Sequence, residues 1–151
     1  MSEKVIAINK KAHFHYAIGE TFEAGLVLVG TEVKSLRAGK ANIGEAFAVA
    51  KDGELFLINA HISEYSHGNI YNHEPKRNRK LLLHKKEIER LLGKLSGGGF
   101  ALVPIRIYFK NGKVKVLLGL GKGKTHGDKR EDVKRREADR EMERAMKQRN
   151  R

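Results

Sequence analysis

The chain has 151 residues, a formal net charge of +13 and no cysteine. This length allows one domain with a hydrophobic core plus an extension, and the lack of cysteine excludes disulfides, cysteine-ligated zinc and a thiol nucleophile. No run of eighteen apolar residues occurs, and residues 1–10 lack the apolar core of a signal peptide, so we expect a cytoplasmic protein with no membrane segment. An isoelectric point near 10.0 favours an anionic partner.

Short strands are the commonest predicted elements. Apolar and β-branched runs bounded by glycine or polar residues predict strands over 16–18, 22–29, 60–65 and 81–83. Thr31 and Gly39 are expected to cap a helix over 32–38. A second helix is predicted over 85–95, and residues 68–79 are expected to form a long surface loop. The apolar face of the second helix consists of Ile88, Leu91, Leu92 and Leu95.

Two hairpins can be predicted in register from their turn residues. Asp52-Gly53 is a two-residue turn signal that aligns residues 47–51 with residues 58–54. Both faces of this hairpin are apolar or small, so we expect it to be deeply covered. Asn111-Gly112 similarly aligns residues 105–110 with residues 118–113, which places Ile105 opposite Leu118.

The second hairpin has one apolar and one basic face. Because a slip of one residue would mix the two faces, its register is well specified. The apolar face is Ile105, Ile107, Phe109, Val114, Val116 and Leu118. The other face is Arg106, Tyr108, Lys110, Lys113 and Lys115.

About six antiparallel strands with two or three short helices predict a mainly β fold. The best match among small closed antiparallel barrels is the oligonucleotide-binding type. We assign this barrel to residues 1–121 and treat residues 122–151 as a basic C-terminal tail.

The tail has a charge pattern of its own. Its twelve basic and seven acidic residues give a net +5, so +8 of the total charge remains on residues 1–121. It has too little apolar surface to offset the entropy of ordering, and we expect it to be disordered when free. Acid–base pairs at helical spacing and a thin apolar stripe favour a helix formed on a polyanionic surface. A solubilising tail is the alternative.

No catalytic or metal site is evident in the sequence. His13 and His15 would share a face of a strand, but their spacing matches no helical histidine pair that binds metal. No serine stands in a nucleophile elbow, and residues 121–125 lack the four-residue spacer of a phosphate loop. We therefore expect no metal, no cofactor and no enzymatic activity.

Three basic clusters favour nucleic-acid binding. Arg106, Tyr108, Lys113 and Lys115 put charge and a stacking ring on one sheet face. The second cluster is residues 76–80, which include Arg79, and the third is Lys34 and Arg37 on the first helix. A solvated surface could explain each cluster alone. It explains poorly why three such clusters occur on one domain of charge +8.

Several motifs resemble the bacterial small protein B family, the SsrA-binding proteins, from about residue 9 to the end. The motif that runs from Gly30 to Lys40, together with Asp-Lys-Arg in the tail, is specific to that family. The matching segments are 9–12 (NKKA), 22–26 (FEAGL), 30–40 (GTEVKSLRAGK), 79–84 (RKLLLH), 103–104 (VP), 121–124 (GKGK) and 128–130 (DKR).

The resemblance implies a function that composition cannot supply. The family binds the tRNA-like domain of transfer-messenger RNA and delivers it, with elongation factor Tu, to stalled ribosomes. The tail enters the empty message channel, next to 16S ribosomal RNA, and becomes helical there. Such a protein is expected to act as a monomer that contacts elongation factor Tu only indirectly.

The resemblance also implies contact residues by motif position. Those for the RNA are Glu23, Leu82, Lys115 and Gly123, although Leu82 could equally serve packing. Those for the ribosome lie in the tail and are Asp128, Lys129, Arg130, Lys134 and Arg135. One departure is Phe14, which stands where the family usually has histidine; a base could still stack on its ring.

Two rival functions remain open at this point. A general RNA-binding or ribosomal protein could use the same barrel without mimicking a tRNA, and it would need the tail for affinity alone. A metal-dependent nuclease would require a carboxylate cluster, which the sequence does not show.

Overall fold

The computed structural model describes residues 3–67 and 72–123, together with Glu137 and Arg140, which are helical and exposed. Within the continuous segments the fold is mainly β with three helices. The elements are β1 (Glu3–Ile8), α1 (Ala12–His15), β2 (Tyr16–Leu26), α2 (Gly30–Arg37), β3 (Ala41–Asn42), β4 (Phe47–Lys51), β5 (Glu54–Ile58), β6 (His61–Ile62), β7 (Arg79–Leu82), α3 (Lys85–Ser96), β8 (Ala101–Lys110) and β9 (Lys113–Gly123).

Six of these strands form a hydrogen-bonded ring. The sheet order is β1-β8-β4-β5-β7-β2-β9, and β8 also pairs with β9, so the pairings return to their starting strand. Each of these pairs is antiparallel, as expected. Strand β1 extends the sheet by pairing with the second half of β8. The core inside the ring is built largely from leucine and isoleucine, including Leu55, Leu57, Leu102, Ile107 and Leu118.

The β4–β5 hairpin has the predicted register at all five pairs, from Lys51 opposite Glu54 to Phe47 opposite Ile58. The expectation that both of its faces are covered is wrong. Leu55 and Leu57 are buried, whereas Phe47 keeps 39% of its surface exposed. Alternation along a strand places these residues on opposite faces, and one face alone meets the core.

The β8–β9 hairpin confirms five of the six predicted pairs. The sixth is wrong, because Pro104 rather than Ile105 lies opposite Leu118, and the register shifts between Pro104 and Arg106. The Ile105 carbonyl instead accepts a hydrogen bond of 2.8 Å from the backbone N–H of Asn9. This bulge removes Ile105 from the apolar face predicted for it.

Both longer helices were predicted, with one error in capping. Helix α2 begins at Gly30, and Glu32 reaches back to accept a hydrogen bond of 2.9 Å from the backbone N–H of Val29. The Thr31 hydroxyl is not a cap, because it lies 2.9 Å from Nδ1 of His73. Strand β1 and helix α1 were not predicted. Since α1 contains His13 and His15, these two side chains do not share a strand face.

Candidate nucleic-acid interface

The outward side chains of five adjacent strands form one surface, here called the outer face. Cross-strand partners in a sheet point to the same side, and two neighbouring rows of partners run across this face. The first row is Leu82, Gly25, Lys115, Tyr108 and Val5. The second row is Glu23, Leu117, Arg106 and Ile8. The strands thus bring together residues that lie up to 112 positions apart.

The first row combines a cation with exposed apolar surface. Leu82 lies over Gly25, where an added Cβ would be 3.4 Å from the Leu82 Cβ, and it leaves 50% of its surface exposed. Val5 and Ile8 at the β1 edge are also exposed. They were not expected on this face, because β1 was not predicted. Exposed apolar side chains next to cations suit contact with unstacked bases and phosphates together.

Glu23 is a carboxylate of the outer face, and two side chains contact it. The Tyr108 hydroxyl donates a hydrogen bond of 2.6 Å to Oε2, and Nζ of Lys110 lies 3.2 Å from the same oxygen. The Tyr108 hydrogen bond, aided by Lys110 and Lys115, lowers the pKa of Glu23 despite partial desolvation. Burial and the adjacent carboxylate raise the pKa of Tyr108. At neutral pH the pair is therefore an ionised acceptor with a neutral donor.

The stacking role expected for Tyr108 is corrected by the structure. Only 1% of its surface is exposed. Arg106 lies over the ring at 5.2 Å from its centroid, and Val5 and Lys115 are the cross-strand neighbours of Tyr108. A ring covered in this way has no free face for a base. Its hydroxyl, rather than its π face, contacts a functional group of the outer face, the Glu23 carboxylate.

Arg79 is likewise corrected from a contact residue to an internal one. Its side chain is fully buried and forms an ion pair with the fully buried Glu32. Its remaining donors reach the carbonyls of Ala60 at 2.7 Å and Pro75 at 3.0 Å. The guanidinium therefore connects β7 to α2 and to the segment that precedes β7. Because the side chain is fully buried, it has no surface for RNA to contact.

The other predicted contacts are dispersed. Lys34 and Arg37 are on the exposed side of α2, with Lys34 placed 5.4 Å from the ring centroid of Tyr65. Lys113 is exposed at the β8–β9 turn, and Gly123 is exposed at the far end of β9 opposite Tyr16. The tail contacts Asp128, Lys129, Arg130, Lys134 and Arg135 lie outside the described residues.

The first family-like motif, NKKA, has a structural role at its asparagine. Asn9 is buried, donates a hydrogen bond of 3.0 Å to the Pro104 carbonyl and accepts one from the backbone N–H of Lys11 at 3.2 Å. These bonds turn the chain from β1 into α1. A groove of about 370 Å³ lies beside α1, and its lining includes His15, Tyr16 and Phe47, which sequence reasoning did not bring together.

Two negative findings apply to residues 3–67 and 72–123. They contain no group of three or more histidine or acidic residues placed to hold a metal ion. They also contain no helix long and apolar enough to cross a membrane.

A ring of antiparallel strands whose outer face combines basic and apolar side chains is typical of the class of RNA-binding β-sheet proteins. More particularly, the chain belongs to the SmpB protein family, whose model matches residues 6–148. This finding confirms the family resemblance noted in the sequence.

Individual relatives cover nearly the whole chain. The SsrA-binding protein of Shouchella clausii is 60% identical over 148 residues, which are 98% of this chain and 95% of that protein. The SsrA-binding protein of Pelobacter propionicus is 57% identical over 151 residues, or 100% and 99% of the two chains. A chain of the solved structure "tmRNA-SmpB: a journey to the center of the bacterial ribosome" aligns with a TM-score of 0.67 at 51% identity, covering 84% of this chain and 93% of that one.

Proposed function

We propose that this protein binds the tRNA-like domain of transfer-messenger RNA through its outer face and delivers that RNA to stalled ribosomes for peptide tagging. The relatives named SsrA-binding protein and the likeness to a chain of a solved structure described as tmRNA-SmpB support this function. The observation that carries the assignment of the face is the convergence of Glu23, Leu82, Lys115 and Arg106 on adjacent strands.

The outer face offers each kind of contact that RNA needs. Lys115, with Lys110 and Lys113 beside it, supplies charge for phosphates. The Glu23 carboxylate accepts hydrogen bonds from base N–H groups or 2′-hydroxyls. The half-exposed Leu82 offers an apolar surface to a base.

We assign the rest of the chain by the same reasoning. Residues 1–121 act as an oligonucleotide-binding barrel, a type consistent with the closed ring of strands. Residues 122–151 contact 16S ribosomal RNA in the message channel, where a helix with cations on its surface can replace the missing message. The protein acts in the cytoplasm as a monomer, as a binding protein and not as an enzyme, and meets elongation factor Tu only through the RNA.

Lys115→Ala tests the outer face. Loss of a charged contact should weaken binding to the tRNA-like domain by about 1–3 kcal/mol, which a titration at fixed salt measures. Lys86→Ala is the matched control, since Lys86 is an exposed lysine on α3 and not on a strand of the outer face. Thermal melts of both variants should match the wild type. Equal affinities of the two variants would remove Lys115 and this face from the proposal.

A further inference from the structure

We infer that Tyr108 is a positioning residue, whose buried hydroxyl orients the Glu23 carboxylate toward N–H or O–H donors of the bound RNA. This inference rests on the proposed function and deepens it. It concerns a residue expected from the sequence to stack on a base, for which the structure indicates a different role.

The Tyr108 ring is fixed from several sides. It is paired in register with Lys115 on β9 and Val5 on β1, it is covered by the Arg106 guanidinium, and it is 1% exposed. A tyrosine has two side-chain torsions, and packing here restricts both. Its hydroxyl is therefore held at one place on the outer face.

The Glu23 side chain has more conformational freedom than the Tyr108 side chain. Its side chain is exposed and has three torsions, so it would occupy many rotamers without a partner. The hydrogen bond of 2.6 Å from Tyr108 engages Oε2, while Oε1 has a longer contact of 3.4 Å with Nζ of Lys110. Oε1 is consequently the oxygen left most available to a ligand, and its direction is set mainly by the short bond from Tyr108 to Oε2, with longer contacts from Lys110.

The protonation states agree with this division of roles. The hydrogen bond to Tyr108 is the main reason that the pKa of Glu23 is lowered, so the carboxylate remains an acceptor through the physiological range. Burial and the same contact raise the pKa of Tyr108, so the hydroxyl remains a donor. An acceptor with both its charge and its orientation fixed before binding loses less freedom on binding.

The test compares Tyr108→Phe with Glu23→Gln and with the double variant. Removing one hydroxyl while keeping the ring should weaken binding to the tRNA-like domain about tenfold. The double variant should bind no more weakly than Glu23→Gln alone, since the hydroxyl acts through the carboxylate. Tyr65→Phe, whose ring faces Lys34 instead of a carboxylate, is the matched control and should bind like the wild type.

A second measurement separates positioning from folding. An NMR titration of Glu23 in Tyr108→Phe should show its carboxyl pKa moving up toward the ordinary value. If Tyr108→Phe does not fold, Glu23→Asp withdraws the carboxylate from the hydroxyl by one methylene and should show the same loss of affinity. RNA with 2′-deoxy substitutions distinguishes hydroxyl from base donors.

The outcomes are distinct. Wild-type affinity in Tyr108→Phe, or additive losses in the double variant, would overturn the positioning role while leaving the proposed function intact. Failure of the wild-type protein to bind the tRNA-like domain would overturn the proposed function and this role with it. Weakened binding together with a raised Glu23 pKa would support both.

Discussion

Arg79 and Glu32 show how a charged residue can belong to the core. The two lie 47 positions apart in two different family-like motifs, RKLLLH and GTEVKSLRAGK, yet both side chains are fully buried. Arg77 adds a hydrogen bond of 2.6 Å to Oε1 of Glu32. Part of the family signature thus lies in a buried ion pair of the core.

Glu32→Gln should be strongly destabilising. It leaves the Arg79 guanidinium buried without its counter-charge, and breaking a buried ion pair costs about 3–5 kcal/mol. Urea unfolding followed by circular dichroism measures the loss. Glu54→Gln is the control, because its ion pair with Lys80 is roughly half exposed, and such a pair contributes at most about 1 kcal/mol. Similar losses in the two variants would contradict a special role for the buried pair.

The same pair predicts a pH dependence. Burial raises the pKa of Glu32, but hydrogen bonds from Arg77, the Val29 N–H and Arg79 outweigh it, so the net pKa lies below its ordinary 4.5. A carboxyl with a lowered folded-state pKa stabilises the fold above its unfolded pKa and loses that contribution as pH falls through the folded one. The wild type should therefore lose stability below about pH 4.5, and Glu32→Gln should lose less over the same range.

At the scale of elements, local turn chemistry was the most reliable signal. Asp52 and Asn111 have positive φ angles of 52° and 51°, and the glycines that follow them have 76° and 77°. Turns of this kind fix hairpin register without reference to the rest of the chain. The bulge at Ile105 could not be predicted in this way, because it depends on hydrogen bonds from Asn9, nearly a hundred residues earlier.

Close packing between β2 and β9 gives an element-scale prediction. An added Cβ at Gly121 would lie 2.8 Å from the Ala17 carbonyl oxygen, which is backbone and cannot move without shifting β2. Gly121→Ala should therefore destabilise the protein by about 1–3 kcal/mol, measured by thermal unfolding. Gly123→Ala is the control, because nothing lies within 4 Å of its added Cβ. A Gly121→Ala variant as stable as the control would show that β2 and β9 can move apart at this position without loss of stability.

At the scale of the whole molecule, the sequence predicted the part of the outer face that belongs to the β8–β9 hairpin, but not the burial of Tyr108 within it. Register alone put Arg106, Tyr108 and Lys115 on one side of a hairpin. The burial of Tyr108 could not be predicted from the same pattern, because neighbours on β1 and β2, which the hairpin does not contain, add to the cover that Arg106 provides. The exposed apolar side chains of Val5 and Ile8 were not predicted on this face, because β1 itself was not predicted.

The distribution of charge separates the roles of the two parts of the chain. Residues 1–121 have a net +8 without the tail, so this part of the chain has its own electrostatic attraction for RNA. The tail adds +5, with acidic residues placed at i,i+4 from basic ones, as in Glu131 with Arg135. The two described residues of that region, Glu137 and Arg140, are helical. Charge and helix formation can therefore be tested separately in the tail.

Deleting residues 128–151 should leave most of the affinity for free transfer-messenger RNA, since the outer face remains, but should abolish peptide tagging on stalled ribosomes. Replacing Ala138 and Met142 by proline should have the same effect without changing any charge, because each interior proline costs a helix about 3 kcal/mol. Met142→Leu, which keeps both charge and helix propensity, is the control and should tag normally. Tagging is measured on a message without a stop codon, and affinity by titration. Active tagging by the proline variant would mean that the tail acts through its charge alone. Loss of affinity for free RNA in the deletion variant would mean that the main RNA contact lies in the tail and not on the outer face.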